Sequence, residues 1–596
     1  MRSYNELTGS VSKPLIAGTL LAIVVASFAV YFNALSNGFI FDDVPQVVNN
    51  PWIRDFRYLP TIFSTEVWGF KGVGVSNYYR PLIHVAYMIA YHLFGLSTVG
   101  FHAINVLVHA GVSVLVFLIT FKLLARTGSA TPFLPAVLAA LMFVVHPIHT
   151  EAVTWIAGLT DLSLTFFFLL SFYFYMSCGE GTRRSCIVSA VAFFMATLFK
   201  ETALTLPILF VVYDYCFSRE GESLADRARR YAPYVMVVVL YFVMRVRALG
   251  ALVPINRHGE LGIYQTVINI FPLVAKYLQK LLVPTNLNAI HEFHPSSSLL
   301  EPMVLLSLGV MLALGAVLFL SARRAKTVFL GLCFIIVPLL PSLYIRAIPY
   351  PFAERYLYLP SFGFVLIVAV FLARMTARPG AVAVLGVIVP AVTGLYAAGT
   401  VMRNRVWKND FTFWSDTVKK SPRDAVSQQN MGNALLGAGD VDGALKHFMI
   451  AYDLKPDEET SYAVGFALQK KGMLDRAIEQ YQQALKYNPK YTDAMINLGN
   501  ILLEKGSIDD AIGEYKQALA LEPGNPRGRM NLGVAYLKKG LLDQGIEELS
   551  LFVRLQPGNP KGHLLLGAAY RDKGLLDKAE EQFALARAVD PRFRPR

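Results

Sequence analysis

Charge is scarce in these 596 residues: 16% are Asp, Glu, Lys or Arg, while 54% are hydrophobic. A soluble chain of this length rarely looks so apolar, and many of its runs approach the length that crosses a bilayer. Cysteine is scarcer still. The four present, Cys178, Cys186, Cys216 and Cys333, lie in or beside apolar runs without metal-ligand spacing, so they imply neither a disulfide framework nor a zinc site. No Asn-x-Ser/Thr sequon occurs, and no convincing leader-cleavage site follows the first apolar run, Pro14 to Leu35. That run is too long for a signal-peptide core and reads as a retained first helix.

Acidic residues are outnumbered, giving a net charge of +13. The excess is not spread evenly. From Pro422 onward there are 23 basic and 23 acidic residues, so all of it lies earlier in the chain. That partition argues against nucleic acid as a partner and favours cytoplasmic loops together with a site for an anionic substrate.

Basic clusters at Lys122/Arg126, Arg183/Arg184, Arg227 to Arg230, Arg323 to Lys326 and Arg374/Arg378 can all be placed in the cytoplasm with the N-terminus. Helix 1 (about 14–35) then exits, and 36–100 becomes the first non-cytoplasmic loop. Within it, Pro81 to Phe94 is too short to span and suits the interface. Further spans are predicted near 101–124, 132–147, 154–176, 186–199, 203–217, 231–249, 301–321, 327–345, 357–373 and 380–401, about eleven in all. The stretch 263–283 carries Lys276 and Lys280 and reads better as an interfacial or re-entrant helix. An odd count puts the C-terminal third on the non-cytoplasmic side.

That third repeats. Pro422, Pro456, Pro489, Pro523, Pro557 and Pro591 recur every 33 or 34 residues. Each interval carries a glycine (Gly432, Gly465, Gly499, Gly533, Gly567) and a small residue twelve positions on. A large residue follows four later (Phe448, Tyr481, Tyr515, Leu549, Phe583). This is the tetratricopeptide pattern of two antiparallel helices per repeat. The fold class is therefore all-α: a polytopic membrane domain over 1–401, a docking half-repeat over 402–421 (Trp407, Phe411, Trp414), and a solenoid of five repeats over 422–596. Arg587, Arg592, Arg594 and Arg596 close the chain as a solvated basic end. Such arrays stack and recruit extended protein segments, and no repeat carries a catalytic constellation.

Five polar islands fall at the same ends of the membrane helices: Asp42-Asp43; Asn77-Tyr-Tyr-Arg80; His146-Pro-Ile-His149-Thr-Glu151 with Asp161; Lys200-Glu201; and Glu354-Arg355. Ionisable groups at membrane depth are expensive and usually face an internal cavity. Each island also has a plainer reading. Asp42-Asp43 fits an Asx turn before Pro45. Lys200-Glu201 fits a self-neutralising pair, Glu354-Arg355 a loop anchor, and His146/His149 a metal pair of poor geometry. His102 and His109 fit packed polar residues on one helix face. Together, cations beside carboxylates suit the departure of a lipid-linked phosphate, with a carboxylate deprotonating an incoming hydroxyl.

The series Phe-Asp-Asp (41–43), Tyr-Arg-Pro-Leu (79–82), Phe-His-x-x-Asn (101–105), His-Pro-x-His-Thr-Glu-Ala-Val (146–153), Lys-Glu (200–201) and Glu-Arg-Tyr-Leu-Tyr-Leu-Pro-Ser (354–361), followed by tetratricopeptide repeats, resembles the transmembrane-and-tetratricopeptide-repeat proteins. These are O-mannosyltransferase-like members of the GT-C glycosyltransferase superfamily. The resemblance implies a GT-C-like membrane enzyme that moves a sugar from a polyprenyl-phosphate carrier to a hydroxyl acceptor. It implies Asp42 and Asp43 as catalytic base or, with a divalent cation, metal ligands. It makes Arg80, Lys200 and Arg355 candidates for the lipid phosphate. His146, His149 and Glu151 become candidates for substrate positioning, with Glu201 and Glu354 beside them. Where that branch carries Asp-Glu this chain carries Asp-Asp, which leaves both the base and the sugar open. The expected partners are the carrier-linked sugar, the membrane, and an acceptor or partner protein on the repeats. The expected setting is a bacterial inner membrane with periplasmic repeats, or an endoplasmic-reticulum membrane with lumenal ones. The rival from another class is a non-catalytic membrane scaffold for envelope or secretion assembly.

Overall fold

A computed structural model describes residues 11–72, 76–178, 183–217, 223–251, 261–348, 350–376 and 379–590. Arg378, Pro591, Arg592, Arg594 and Arg596 lie outside them. Among the described residues all regular structure is helical, and the chain divides into two compact units, Met1–Lys420 and Ser421–Arg596.

In the first unit, seven described helices are long and apolar enough to cross a membrane, or eight if the bent pair Phe133–Val145 and Pro147–Thr154 is one span. Each segment expected to span is helical, but Leu206–Phe217 has only 12 residues and Pro360–Thr376 only 17. Both contribute to the buried core, through Leu209, Phe210, Val365 and Leu366, while Ile208, Val211, Tyr215 and Phe371 stay exposed. Several apolar helices are thus shorter than a bilayer crossing, and a test of length and composition passes seven or eight where the apolar runs predict about eleven. By contrast Leu224–Leu249, Pro302–Arg324 and Pro379–Asn404 leave most of their apolar surface exposed, as bilayer-facing helices do.

Two helices of the core, Lys326–Ile336 and Pro360–Thr376, cross almost backbone to backbone. A Cβ on Gly363 would lie 2.2 Å from the Gly331 carbonyl oxygen. Small residues at such a crossing let helices gain van der Waals contact where no hydrophobic drive exists. The segment 263–283 forms one helix, Ile263–Leu282, with Pro272 inside it, and it is not apolar enough to span. Its Leu273, Tyr277 and Leu281 pack with Leu339, Phe352 and Leu357. The segment 402–421 supplies the end of the 379–404 helix, a 3₁₀ turn at Arg405–Lys408 and a helix at Asp410–Lys420, all within the first unit.

Among its described residues the second unit contains ten helices in five pairs, from Ala425–Gly437 to Leu576–Val589. Each repeat glycine faces the large residue of its partner helix: a Cβ on Gly499 would lie 2.7 Å from Tyr515, and one on Gly567 2.6 Å from Phe583. The turns between paired helices hold glycines at positive φ, from Gly439 (86°) to Gly574 (81°), a conformation that costs other residues energy. Successive repeats are joined by Lys471–Asp442, Lys505–Asp475, Lys539–Asp509 and Lys573–Asp543 ion pairs.

Candidate functional site

All five islands border one place. Two adjoining cavities, of about 150 and 270 Å³, share a wall made of Tyr78, Arg80, Asp161, Lys200, Arg355 and Tyr356. Asp42 and Glu151 line the larger one, with Trp68, Trp155 and Phe413; Glu201 and Arg245 line the smaller, with Leu164, Pro338 and Leu359.

The wall is built from crossed ion pairs. Arg80 Nε and Nη2 donate to Glu201 at 3.1 and 2.6 Å, and Lys200 Nζ donates to Asp161 at 2.6 Å. Arg355 donates to Glu151 through its guanidinium and, at 2.9 Å, through its backbone N–H. The sequence neighbours Lys200 and Glu201 therefore do not neutralise each other, and Glu354 and Arg355 likewise part ways. Backbone geometry explains this. Lys200 is extended (φ −161°, ψ 139°) at the end of the helix Arg183–Phe199, so adjacent side chains leave in different directions. Three cations set against three carboxylates avoid uncompensated buried charge. Arg245 adds a fourth cation, held by its bond to the Asn77 carbonyl at 2.7 Å. Each guanidinium has five N–H donors, and Arg80 is shown spending two of them on Glu201. Burial pushes the Glu201 carboxyl up, but the Arg80 guanidinium outweighs it and leaves the group at about 2, so it stays charged.

The two aspartates have opposite situations. Asp43 is fully buried. Its Oδ1 accepts from the Ala157 N–H at 2.8 Å and its Oδ2 from the Ile40 N–H at 3.2 Å. Burial raises its pKa well above the usual range against those two bonds. Asp43 ties the first loop to the turn before the helix Leu159–Cys178 and does not line either cavity. Asp42 lines the larger cavity, and among the described residues its side chain has no hydrogen bond or ion pair. Burial lifts its pKa to about 6, with Arg355 and Lys71 pulling the other way. The chain is turned just before the pair by Phe41, whose φ of 49° is left-handed and unusual outside glycine. Its ring stacks on Trp155 and Phe413 and meets Trp414 edge-on, and its N–H donates to Asp410 Oδ1 at 3.2 Å. Aromatic contacts of this kind hold a conformation the backbone alone would not favour.

The remaining candidates sit behind the cavities. His146 Nε2 bonds the Leu281 carbonyl at 3.2 Å, and its Nδ1 accepts from the Ile148 N–H at 3.3 Å. His149 Nε2 bonds Ser361 at 2.8 Å. Both rings are fully buried, and neither borders the cavities. His102 bonds the Asn37 carbonyl and His109 the Tyr358 hydroxyl. Glu354 is buried too: its Oε1 accepts from the Asn288 N–H at 2.6 Å and from His291 at 3.1 Å. Its carboxyl is raised to about 7 by burial, opposed by Arg403 and the Asn288 N–H.

A divalent cation does not fit the aspartate pair. Both Asp43 oxygens are taken by backbone N–H groups, and among the described residues no cluster of three or more His, Cys, Asp or Glu could hold a metal. Arg245, Trp155 and Tyr356 had no distinguishing signal in the sequence. Arg245 lies at the end of an otherwise apolar run, where it reads as a helix terminus.

A polytopic helical membrane protein carrying tetratricopeptide repeats is thus defined by fold and site. Family models for the TPR repeat match residues 465–506 and 499–540, and the tetratricopeptide repeat model matches 530–592. The particular relatives agree with the resemblance carried by the motif series. The chain is 27% identical over 547 residues to human protein O-mannosyl-transferase TMTC3, which covers 81% of this chain and 58% of that protein. It is 28% identical to the Caenorhabditis elegans protein O-mannosyl-transferase F38B6.6 (74% and 63%), and 25% identical to human TMTC4 (72% and 65%). The aligned part is therefore less than two thirds of the length of each. Among solved structures, MamA from Desulfovibrio magneticus RS-1 is 27% identical over 28% of this chain and 95% of its own, with a TM-score of 0.27.

Proposed function

We propose that the membrane unit is a glycosyltransferase that moves a sugar, mannose by analogy with the names of its relatives, from a polyprenyl-phosphate carrier to a hydroxyl acceptor. The observation that carries this reading is the pair of cavities with one cationic wall and a single unengaged carboxylate, Asp42, on one side of it. The carrier phosphate binds at the wall, where Arg80, Lys200, Arg355 and Arg245 stabilise it as it leaves. The smaller cavity, with its Leu164, Pro338 and Leu359 lining, receives the first isoprene units. The sugar lies in the larger cavity against Trp68 and Trp155. Asp42 takes the acceptor hydroxyl proton as that oxygen forms its bond to the anomeric carbon. The bond from that carbon to phosphate breaks, and the electron pair leaves with the phosphate.

In this reading Asp43 positions the loop and is not the base, while Glu151, Glu201 and Asp161 hold the cations in place. His146, His149 and Glu354 support the wall from behind. No step requires a metal. The repeats recruit the acceptor protein or a partner, and the setting is a bacterial inner membrane with Asp42 and the repeats on the periplasmic side.

The test compares Asp42→Asn and Asp43→Asn in membranes supplied with radiolabelled polyprenyl-phosphate mannose. Asp42→Asn should insert normally and lose transfer, while Asp43→Asn should lose folded protein first. Full transfer by Asp42→Asn would remove Asp42 as the base, whereas no transfer by the unmodified chain would leave the scaffold reading standing.

A further inference from the structure

A third cavity shares no residue with the two at the site. It is an open groove of about 540 Å³ between the end of the helix Pro379–Asn404 and the segment that follows Leu282. Its walls include Leu282, Val283, Leu395 and Met402, all of them largely exposed. At its polar end sit Arg403 and Lys420.

Three features point to one kind of occupant. The first is charge. Arg403 Nη1 donates to Asp416 Oδ2 at 2.5 Å, and Lys420 Nζ shares that carboxylate at 2.8 Å while donating to the Leu287 carbonyl at 2.7 Å. Arg403 and Lys420, with Lys280 nearby, face the Asp416 and Glu354 carboxylates, so cations outnumber carboxylates at the groove's end. The second is an unmet donor. Arg403 is 8% exposed, and its Nε is buried without a hydrogen-bond partner among the described residues. An unpaired buried donor is costly unless something accepts from it. The third is continuity. The wall formed by Leu395 and Met402 runs on along the same helix through Ile388, Val387 and Val384, all exposed, so the groove opens onto the face that meets lipid tails. The leaflet is fixed by Asn33 and Asn37, which follow the first helix and donate to the Val401 and Asn404 carbonyls. The groove therefore lies at the same membrane edge as the Asp42 loop.

We propose that this groove is a binding site for an anionic bilayer phospholipid, with its singly charged phosphodiester at Arg403 and Lys420 and one acyl chain between Leu395/Met402 and Leu282/Val283. A zwitterionic lipid would fill the apolar walls equally well but would not supply the net negative charge. The site is independent of the proposed transfer reaction, because neither cation lines the catalytic cavities.

The experiment titrates the purified, delipidated full chain with phosphatidylglycerol or phosphatidylcholine and counts bound lipid by native mass spectrometry. Phosphatidylglycerol should bind roughly tenfold more tightly, as expected for one charge-assisted contact. Lys420→Gln keeps a donor for the Leu287 carbonyl and should abolish that preference. Met402→Trp, at a position that is 69% exposed, fills the groove and should weaken both lipids without changing elution volume. Equal binding of the two lipids by the unmodified chain would overturn the proposal. So would a phosphatidylglycerol preference that survives both substitutions. Displacement of phosphatidylglycerol by equimolar polyprenyl phosphate, or by inorganic phosphate alone, would also reject it by assigning the groove to a different ligand.

Discussion

The two units hold themselves together over very different distances along the chain. In the repeats, the ion pairs between neighbours join residues about thirty positions apart: Lys505 with Asp475, Lys539 with Asp509, Lys573 with Asp543. In the membrane unit, the pairs that build the cationic wall join residues 39, 121 and 204 positions apart. Repeat contacts are local and duplicated, so each one matters little and its loss is confined. Wall contacts are singular and bring together loops from across the unit, so each one is shared by the whole site.

That contrast can be attacked at graded strength. The largest effect is expected from Asp42→Asn, which should lower transfer by a factor of about 10² to 10⁴, as removal of a general base does, with an unchanged melting temperature. In the intact protein, activity should rise with pH through about 6, because the proposed base, Asp42, can take a proton only when deprotonated and its pKa is lifted to that value. A pH profile that is flat from 5 to 7 would contradict this.

Next comes Lys200→Met, which strands Asp161 in a buried setting, where the two side chains are 7% and 9% exposed. It should destabilise the membrane unit by about 3–5 kcal/mol, measured by thermal unfolding in detergent. Adding Asp161→Leu should recover much of that stability but not the transfer activity.

In the repeats, Gly499→Ala should cost about 1–3 kcal/mol, because the added methyl meets the Tyr515 ring. Gly513→Ala, where the new atom meets nothing within 4 Å, should instead stabilise its helix by about 0.5–1 kcal/mol. The smallest change is expected from Lys539→Ala, which removes a solvent-exposed pair worth about 0.2–1 kcal/mol. If Lys539→Ala unfolded the array, or Lys200→Met left the membrane unit unchanged, the contrast between the two units would fail.

The same difference in range decides what could be read from the residues alone. The repeat helices were legible because proline, glycine and aromatic positions recur in phase, and each glycine meets its own large partner sixteen positions later. The membrane helices were legible as apolar runs. Their status as spans was not, because an apolar helix such as Leu206–Phe217 has only 12 residues and is divided between the core and an exposed face. At the site, the islands were visible as polar residues in an apolar background, and they do border a common pair of cavities. Their partners were hidden. Nothing near Lys200 in sequence marks Asp161 as its counterion in preference to Glu201, and nothing separates Asp42 from Asp43. That separation comes from the Ala157 N–H, 114 residues away, which engages one carboxylate and leaves the other facing open space. Arg245 escaped notice because, with Arg247, it ends an apolar run and so reads as a helix terminus.

One consequence concerns how such a chain can evolve. The array is made from the same three parts throughout: a glycine against a large side chain, a glycine turn, and a lysine reaching back to the preceding repeat. A duplication of 34 residues inserted at any repeat boundary would reproduce all three and disturb none of its neighbours. The wall at Arg80, Lys200 and Arg355 offers no such seam, since every insertion between its members alters the path by which distant loops meet. Selection can therefore lengthen or shorten the repeat array by copying units while the wall of the membrane unit stays fixed.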